Sequence, residues 1–253
     1  MVTLSPSVRW VGGLIVCVLA ACILHYVQLQ KREMVFCDVG QGAATLIQYN
    51  DIQILIDTGP DKSVLQCLGQ HMPLFDKTIE YVIVSHKQQD HDGGLLAIQT
   101  RYHIQTLISD EQLTTSAGIQ NQINHLSALS FSIADVTVFI NRASESSNSV
   151  NDRAYVVTVR TPREVLFLTS DISASELKSL IPLDTTILEV PHHGSKYGLY
   201  TNSLGLAHPT LAVISVGKKN TYGHPAQSVL AILKAKNIPI WRTDTQGEYV
   251  RAL

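Results

Sequence analysis

The sequence predicts an α/β fold of two facing sheets with helices outside them, and three observations lead there. Short apolar strands alternate with punctuated helices. The alternation comes in two similar runs, residues 34–84 and 136–242. Polar, metal-competent residues follow directly on several of the strands, as expected where loops converge at one edge of a sheet.

In the first run the expected strands are 34–39, 45–49, 53–56 and 79–84, with a helix over 63–70. In the second they are 136–140, 154–160, 164–168, 186–190, 211–216 and 240–242, with helices over 173–180 and 226–235. This order mixes hairpins with crossovers. The polar loop 144–151 (SESSNSVN) has eight residues, too few for a domain linker. At 253 residues and 45% hydrophobic content the chain can bury one substantial core. Two units are expected, an N-terminal segment 1–32 and one domain over 33–253.

Residues 10–27 (WVGGLIVCVLAACILHYV) carry no formal charge, and 18 residues approach the length that spans about 30 Å of hydrocarbon. With Arg9 before and Lys31-Arg32 after, the segment reads as a membrane anchor. The alternatives are a secretory signal, or a lipoprotein signal in which Leu19-Ala20-Ala21-Cys22 presents Cys22 for acylation. Of the four cysteines, Cys17 and Cys22 lie in this segment, and Cys37 and Cys67 read as small core hydrophobes without a disulfide framework. A net charge of -2 excludes a globally basic nucleic-acid binder but is silent about substrate, because bound metal can make a groove locally positive.

The chemistry concentrates in Ser-His-Lys-Gln-Gln-Asp-His-Asp-Gly-Gly (85–94), which follows the apolar Tyr81-Val-Ile-Val84. A buried strand ending in a loop dense in imidazole and carboxylate gathers lone pairs around one point, as a metal centre needs. Further metal-competent residues follow strands at Asp38 (CDVGQG), Asp57 (LIDTG), Asp171 (FLTSDI), His192-His193 (VPHHGS) and His224 (TYGHP). Singly, Asp57 reads as a turn former, Asp171 as a helix cap and His224 as a loop residue. Together, in this order, they point to one centre. His25, His71, His103, His125 and His208 lack companions at useful spacing and read as surface or structural residues.

The ordered set DVGQG (38–42), LIDTG (55–59), SH…DHDGG (85–94), SVND (149–152), LTSD (168–171), PHHGS (191–195) and YGHP (222–225) resembles the metallo-β-lactamase superfamily, specifically the hydrolase-like domain of the ComEC family of DNA-uptake proteins. The resemblance implies a four-layered αββα sandwich from about residue 34 onward, one or two divalent ions (zinc or manganese), and no organic cofactor. It assigns Asp90, His91 and His224 to one metal position, with Asp171 bridging. The second position takes His86, Gln88, Asp171 and one of His192 and His193, with the choice left open. Gln88 departs from the pattern, which has histidine there. A neutral amide oxygen suits Mn²⁺ or Mg²⁺ better than Zn²⁺. Ser170 stands where glycine is usual.

The implied reaction is metal-dependent phosphodiester hydrolysis of DNA during its internalisation. Asp57 would orient a ligand or the water, and the non-ligating histidine of the pair would hydrogen-bond a phosphate oxygen or protonate the leaving group. Ser195 and Asn220 would contact phosphate, with Lys219 a weaker candidate. Other readings are a different hydrolysis on the same scaffold, such as a phosphocholine esterase or lactonase, or a metal-degenerate, non-catalytic DNA-binding module. Only 6% of residues are aromatic and no basic-aromatic stretch appears, so DNA binding would lean on the metal centre. The implied setting is the bacterial inner membrane with an extracytoplasmic (periplasmic) domain, beside a multi-span channel partner.

Overall fold

The computed structural model describes residues 6–113, 115 and 119–253. Helix α1 (Pro6–Leu29) leads into a first sheet of β1 (Arg32–Phe36), β2 (Thr45–Tyr49), β3 (Ile52–Ile56), β4 (Thr78–Val84), β5 (His103–Ser109), β6 (Ile119–Asn124) and β14 (Tyr249–Ala252). Its spatial order is β14-β1-β2-β3-β4-β5-β6. The second sheet comprises β7 (Ala128–Ile133), β8 (Val136–Arg142), β9 (Tyr155–Arg160), β10 (Val165–Leu168), β11 (Ile187–Glu189), β12 (Leu211–Ile214) and β13 (Ile240–Arg242). These run in the order β13-β12-β11-β10-β9-β8-β7. Both sheets are mixed. The hairpin β2-β3 pairs Tyr49 with Ile52, and Asn50 at its tip takes φ 57°, a conformation asparagine tolerates well. Strands β3 to β6 run parallel, as do β10 to β13.

Strand alternation builds the layers. Met34 and Phe36 face inward to join Ile47, Ile54 and Ile83 against Val138, Val157, Leu166 and Val213 of the other sheet. Val35, between them in sequence, faces outward onto Val64 and Leu68 of α2 (Val64–His71). On the far side Phe167, Leu188 and Ile214 meet Leu177 of α5 (Ala174–Leu180) and Val229 and Leu233 of α6 (Gln227–Ala235). The order is helix, sheet, sheet, helix.

Two expectations change. Residues 10–27 are helical, but among the described residues no helix is long and apolar enough to cross a membrane, so the N-terminal membrane segment is not supported. The final turns of α1 are polar and docked. His25 packs edge-on against Phe75 at 5.1 Å, and Gln28 accepts from Gln48 Nε2 and from Leu74 N, each at 2.8 Å. Cys22 is free and exposed on this helix. Cys37 and Cys67 form a disulfide across 30 residues, because the outward face of the chain just after β1 abuts α2. Spacing could not reveal a pairing that depends on a helix docking on a strand end. His71 is buried, with its Nδ1 3.0 Å from Glu33 and its Nε2 3.0 Å from Glu248.

Candidate metal centre

Loops from both sheets meet at one edge. Close approach there depends on small residues: a Cβ on Gly42, which sits at φ +154°, would lie 2.4 Å from the Asp90 carbonyl oxygen, and one on Gly217 would lie 2.5 Å from the Gln41 amide nitrogen. Gln41 Oε1 accepts from Gly217 N at 3.2 Å, joining the first and second sheets' loops. The exposed Asp38 only accepts from Gly40 N within its own turn.

The short helix α3 (Gln89–Asp92) begins one turn beyond β4 and carries Asp90 and His91. Asp171 lies just beyond β10, and His193 just beyond β11. Asp90, His91, Asp171 and His193 each offer a ligand atom, all within 4.8 Å of one another. His91 Nε2 lies 3.1 Å from Asp171 Oδ1, and His193 Nε2 lies 3.3 Å from Asp90 Oδ2. Such a mixture of imidazoles and carboxylates fits a divalent ion. Burial opposes charge on His91, but the Asp171 and Asp57 carboxylates outweigh it and hold its pKa well above the ordinary value. The same pairing, with His193 adding to it, keeps the buried Asp171 ionised despite its desolvation.

Each imidazole is oriented from behind. His91 Nδ1 donates to Asp57 Oδ2 at 2.7 Å, and Asp57 also accepts from Ser85 N at 2.7 Å and Ser85 Oγ at 2.9 Å. Asp57 is 3% exposed, so it acts on the ring rather than on a substrate. His193 Nδ1 donates to the Ser215 carbonyl at 2.8 Å, which leaves Nε2 for the centre. His192 and His193 both adopt left-handed φ of 54°. This double turn sends the two rings apart: His193 is buried in the cluster, and His192 remains partly exposed with Nε2 3.6 Å from Asp171 Oδ2.

The surroundings of His86, whose ring lies 4.3 Å from that of His91, are different. His86 Nε2 is buried without a partner, and burial followed by the charge of His91 lowers its pKa to about 4, so the ring is neutral. An orphaned neutral imidazole nitrogen suits a metal ligand. Gln88 lines the cleft, with Nε2 donating to Asn151 Oδ1 at 2.8 Å. Ser170 takes φ 51°, and its hydroxyl donates to Ser85 Oγ at 2.8 Å and lies 3.2 Å from His86 Nδ1. The hydroxyl thus ties the strained residue into the hydrogen-bond network around His86.

A cleft of about 380 Å³ opens over the cluster, lined by Gln88, Asp90, Asp171, His192, His193 and His224 and also by Lys219, Asn220 and Tyr222. Expected beside Asp90 and His91, His224 stands outside the four-residue cluster, 6.0 Å from His192 and stacked on Tyr222 at 5.9 Å. Asn220 bonds its own loop: Nδ2 donates to the carbonyls of Gly217 and His224 at 2.9 Å, and Oδ1 accepts from His224 N at 3.0 Å. Its side chain therefore sets the position of His224. Ser195 is buried in the turn after His193 and is not among the residues lining the cleft.

Sequence reasoning missed Ser85, Asn151, Tyr222 and Glu189. Glu189 is buried, its pKa raised to about 7 by desolvation, and it accepts from Thr169 N at 3.2 Å beneath the Asp171 loop. The signal was a lone acid in the apolar run Ile187-Leu-Glu-Val190.

Among relatives, the chain is 28% identical to recombination protein 2 of Haemophilus influenzae over 89% of its own length and 30% of the relative's. It is 25% identical to ComE operon protein 3 of Bacillus subtilis, over 96% of this chain and 36% of that one. Competence protein ComA of Neisseria gonorrhoeae is 26% identical over 83% of this chain and 30% of its own. The chain therefore spans about a third of the length of these curated relatives. In fold it is similar to the metallo-beta-lactamase fold protein YhfI of Bacillus subtilis, with a TM-score of 0.60 at 12% identity over 87% of this chain and 99% of that one. It is also similar to Zn²⁺-bound PqqB of Methylobacterium extorquens, with a TM-score of 0.58 at 12% identity over 87% of this chain and 100% of that one. The family model of the metallo-beta-lactamase superfamily matches residues 37–218, and with the two mixed sheets, the outer helices and the histidine-carboxylate cluster at their edge, the chain belongs to that superfamily.

Proposed function

We propose that the protein is a metal-dependent phosphodiesterase that hydrolyses DNA during its uptake. The convergence of Asp90, His91, Asp171 and His193 at the floor of an open cleft carries this reading. A divalent ion held there supplies Lewis acidity and a water nucleophile near neutral pH. Asp57 and the Ser215 carbonyl hold the Nδ1 atoms of His91 and His193 and so leave their Nε2 atoms free to hold such an ion. His192, part exposed beside Asp171, would be the group that protonates the leaving oxygen. Lys219 offers charge to a phosphate, and the exposed Tyr222 offers a face on which a base can stack. No aromatic-basic run exists in the sequence, but the fold sets this lysine and this tyrosine in one wall of the cleft.

The competence relatives support the DNA substrate. The Cys37–Cys67 disulfide favours an oxidising, extracytoplasmic location, since such bonds persist outside the reducing cytosol, and we place the protein there at the inner membrane. There the protein would act beside a multi-span channel. Gln88 and its bond to Asn151 favour a second reading, a metal-poor module that binds DNA without cutting it. Incubating the full chain with Mn²⁺ or Zn²⁺ and single- or double-stranded DNA, a lactone, or a phosphocholine ester separates the readings. DNA cleavage that Asp171→Ala abolishes is expected. Retention of DNA without turnover would favour the binding module, and turnover of the lactone or phosphocholine ester alone would favour a different hydrolase. Co-purification from membranes should retrieve a multi-span protein.

A further inference from the structure

Away from the cleft, Cys67, His71 and Glu248 each offer a ligand atom, all within 4.8 Å of one another. Cys67 and His71 lie one turn apart on α2, and Glu248 reaches them from the residue before β14. Cys67 and Glu248 also line a surface cleft of about 310 Å³ with Asp38, Gln66 and Gln70, so a hydrated ion can arrive from solvent. While Cys67 is bonded to Cys37, its sulfur carries no thiolate charge.

We propose that this cluster is a redox-gated metal site, distinct from the cleft, which binds one zinc-like divalent ion through Cys67, His71 and Glu248 once the Cys37–Cys67 disulfide is reduced. A dithiol reductant supplies two electrons and two protons and becomes a disulfide itself, and both cysteines become thiols. On binding the ion Cys67 releases its proton to solvent, and so does His71 Nε2 where the ring is protonated. One sulfur, one imidazole nitrogen and one carboxylate oxygen form a three-ligand zinc set, with water in the fourth position. Glu33 completes the arrangement from behind. It accepts from Lys31 Nζ at 3.2 Å and faces His71 Nδ1 at 3.0 Å, so it holds the Nδ1 proton and leaves Nε2 for the ion. The ion displaces only the contact between Nε2 and Glu248, and the same carboxylate turns to bind it.

The test uses Co²⁺ on the full chain with Cys17 and Cys22 replaced by serine, so that Cys37 and Cys67 are the only sulfhydryl sources. The cleft cluster contains no sulfur, so a near-ultraviolet thiolate-to-cobalt band reports this site alone. The oxidised chain should show no band. After reduction by a phosphine the band should appear and reach the intensity of one thiolate-bound ion per chain, beyond any Co²⁺ held in the cleft. Cys37→Ser, which frees Cys67 without reductant, should show it too. Adding Cys67→Ser should abolish it, and His71→Gln or Glu248→Gln should weaken Co²⁺ binding at least about tenfold. Absence of the band in both the reduced and the Cys37→Ser chains overturns the proposal. So does a band of unchanged affinity in the His71→Gln and Glu248→Gln chains, or loss of the folded circular-dichroism signal in both thiol forms, since the site needs the reduced fold.

Discussion

Asp90, His91 and His193 form one side of the centre, their ligand atoms clustered with Asp171, and His86, Gln88 and Asn151 form another that lies outside this cluster while His86 feels the Asp171 charge. The first offers two imidazoles, each held by an acceptor behind it, and a second carboxylate. The second offers one orphaned imidazole nitrogen and an amide whose nitrogen is tied to another amide. Charge and softness of the donors set metal affinity, so the two sides should bind an ion unequally. The first side should hold an ion tightly, and the second should prefer a harder ion such as Mn²⁺ and hold it weakly.

Removing the shared group breaks the comparison most severely. Asp171→Ala should strip both sides of metal and lower phosphodiester turnover by about a thousandfold or more, roughly 4 kcal/mol of barrier. Metal analysis beside a rate measurement checks this, and intact cleavage would refute the bridging assignment. Gln88→His should raise affinity for a second ion by roughly 10–100-fold and shift its preference toward Zn²⁺. Calorimetric titration that still finds one ion of unchanged affinity would show that His86 serves no metal. Asp57→Asn should weaken the tight ion by about 10–100-fold while leaving a Mn²⁺ ion near His86 almost unaffected, because only the His91 ring loses its acceptor. An equal loss on both sides would dissolve the distinction.

The smallest effect is a control remote from both sides. The Glu33 hydrogen bond, joined by Glu248 against the cost of burial, raises the pKa of His71 above its ordinary 6.5. The folded state therefore binds this proton more tightly than the unfolded one. Its stabilisation is complete below about pH 6.5 and is lost as pH rises through the raised value. Urea midpoints of the native and His71→Gln chains should differ most near pH 6 and converge by about pH 9, with metal content of the cleft unchanged. A gap that widens with pH would reverse the sign of the argument.

Legibility followed the reach of each interaction. Thr45–Tyr49, buried throughout, appears where the apolar pattern puts it, because a buried strand writes that burial into its residues. Strand β6, with the sequence Ile-Gln-Asn-Gln-Ile-Asn, is a polar edge and carried no such mark. Asp90, His91 and Asp171 were readable from motif order. That Asn220 serves His224 and that Asn151 holds Gln88 was not, since each bond depends on how a loop folds back or meets a distant one.

By itself the sequence determined the two-sheet architecture, the loops that bear donors and the departure at Gln88, all of which are local patterns of polarity and spacing. The tertiary structure alone decided that His193 enters the cluster while His192 faces the cleft, that His224 stands off, and that Cys37 meets Cys67. Those outcomes turn on distances of a few ångströms between segments far apart in the chain, fixed by the packing of helices and sheets and invisible to any window along it.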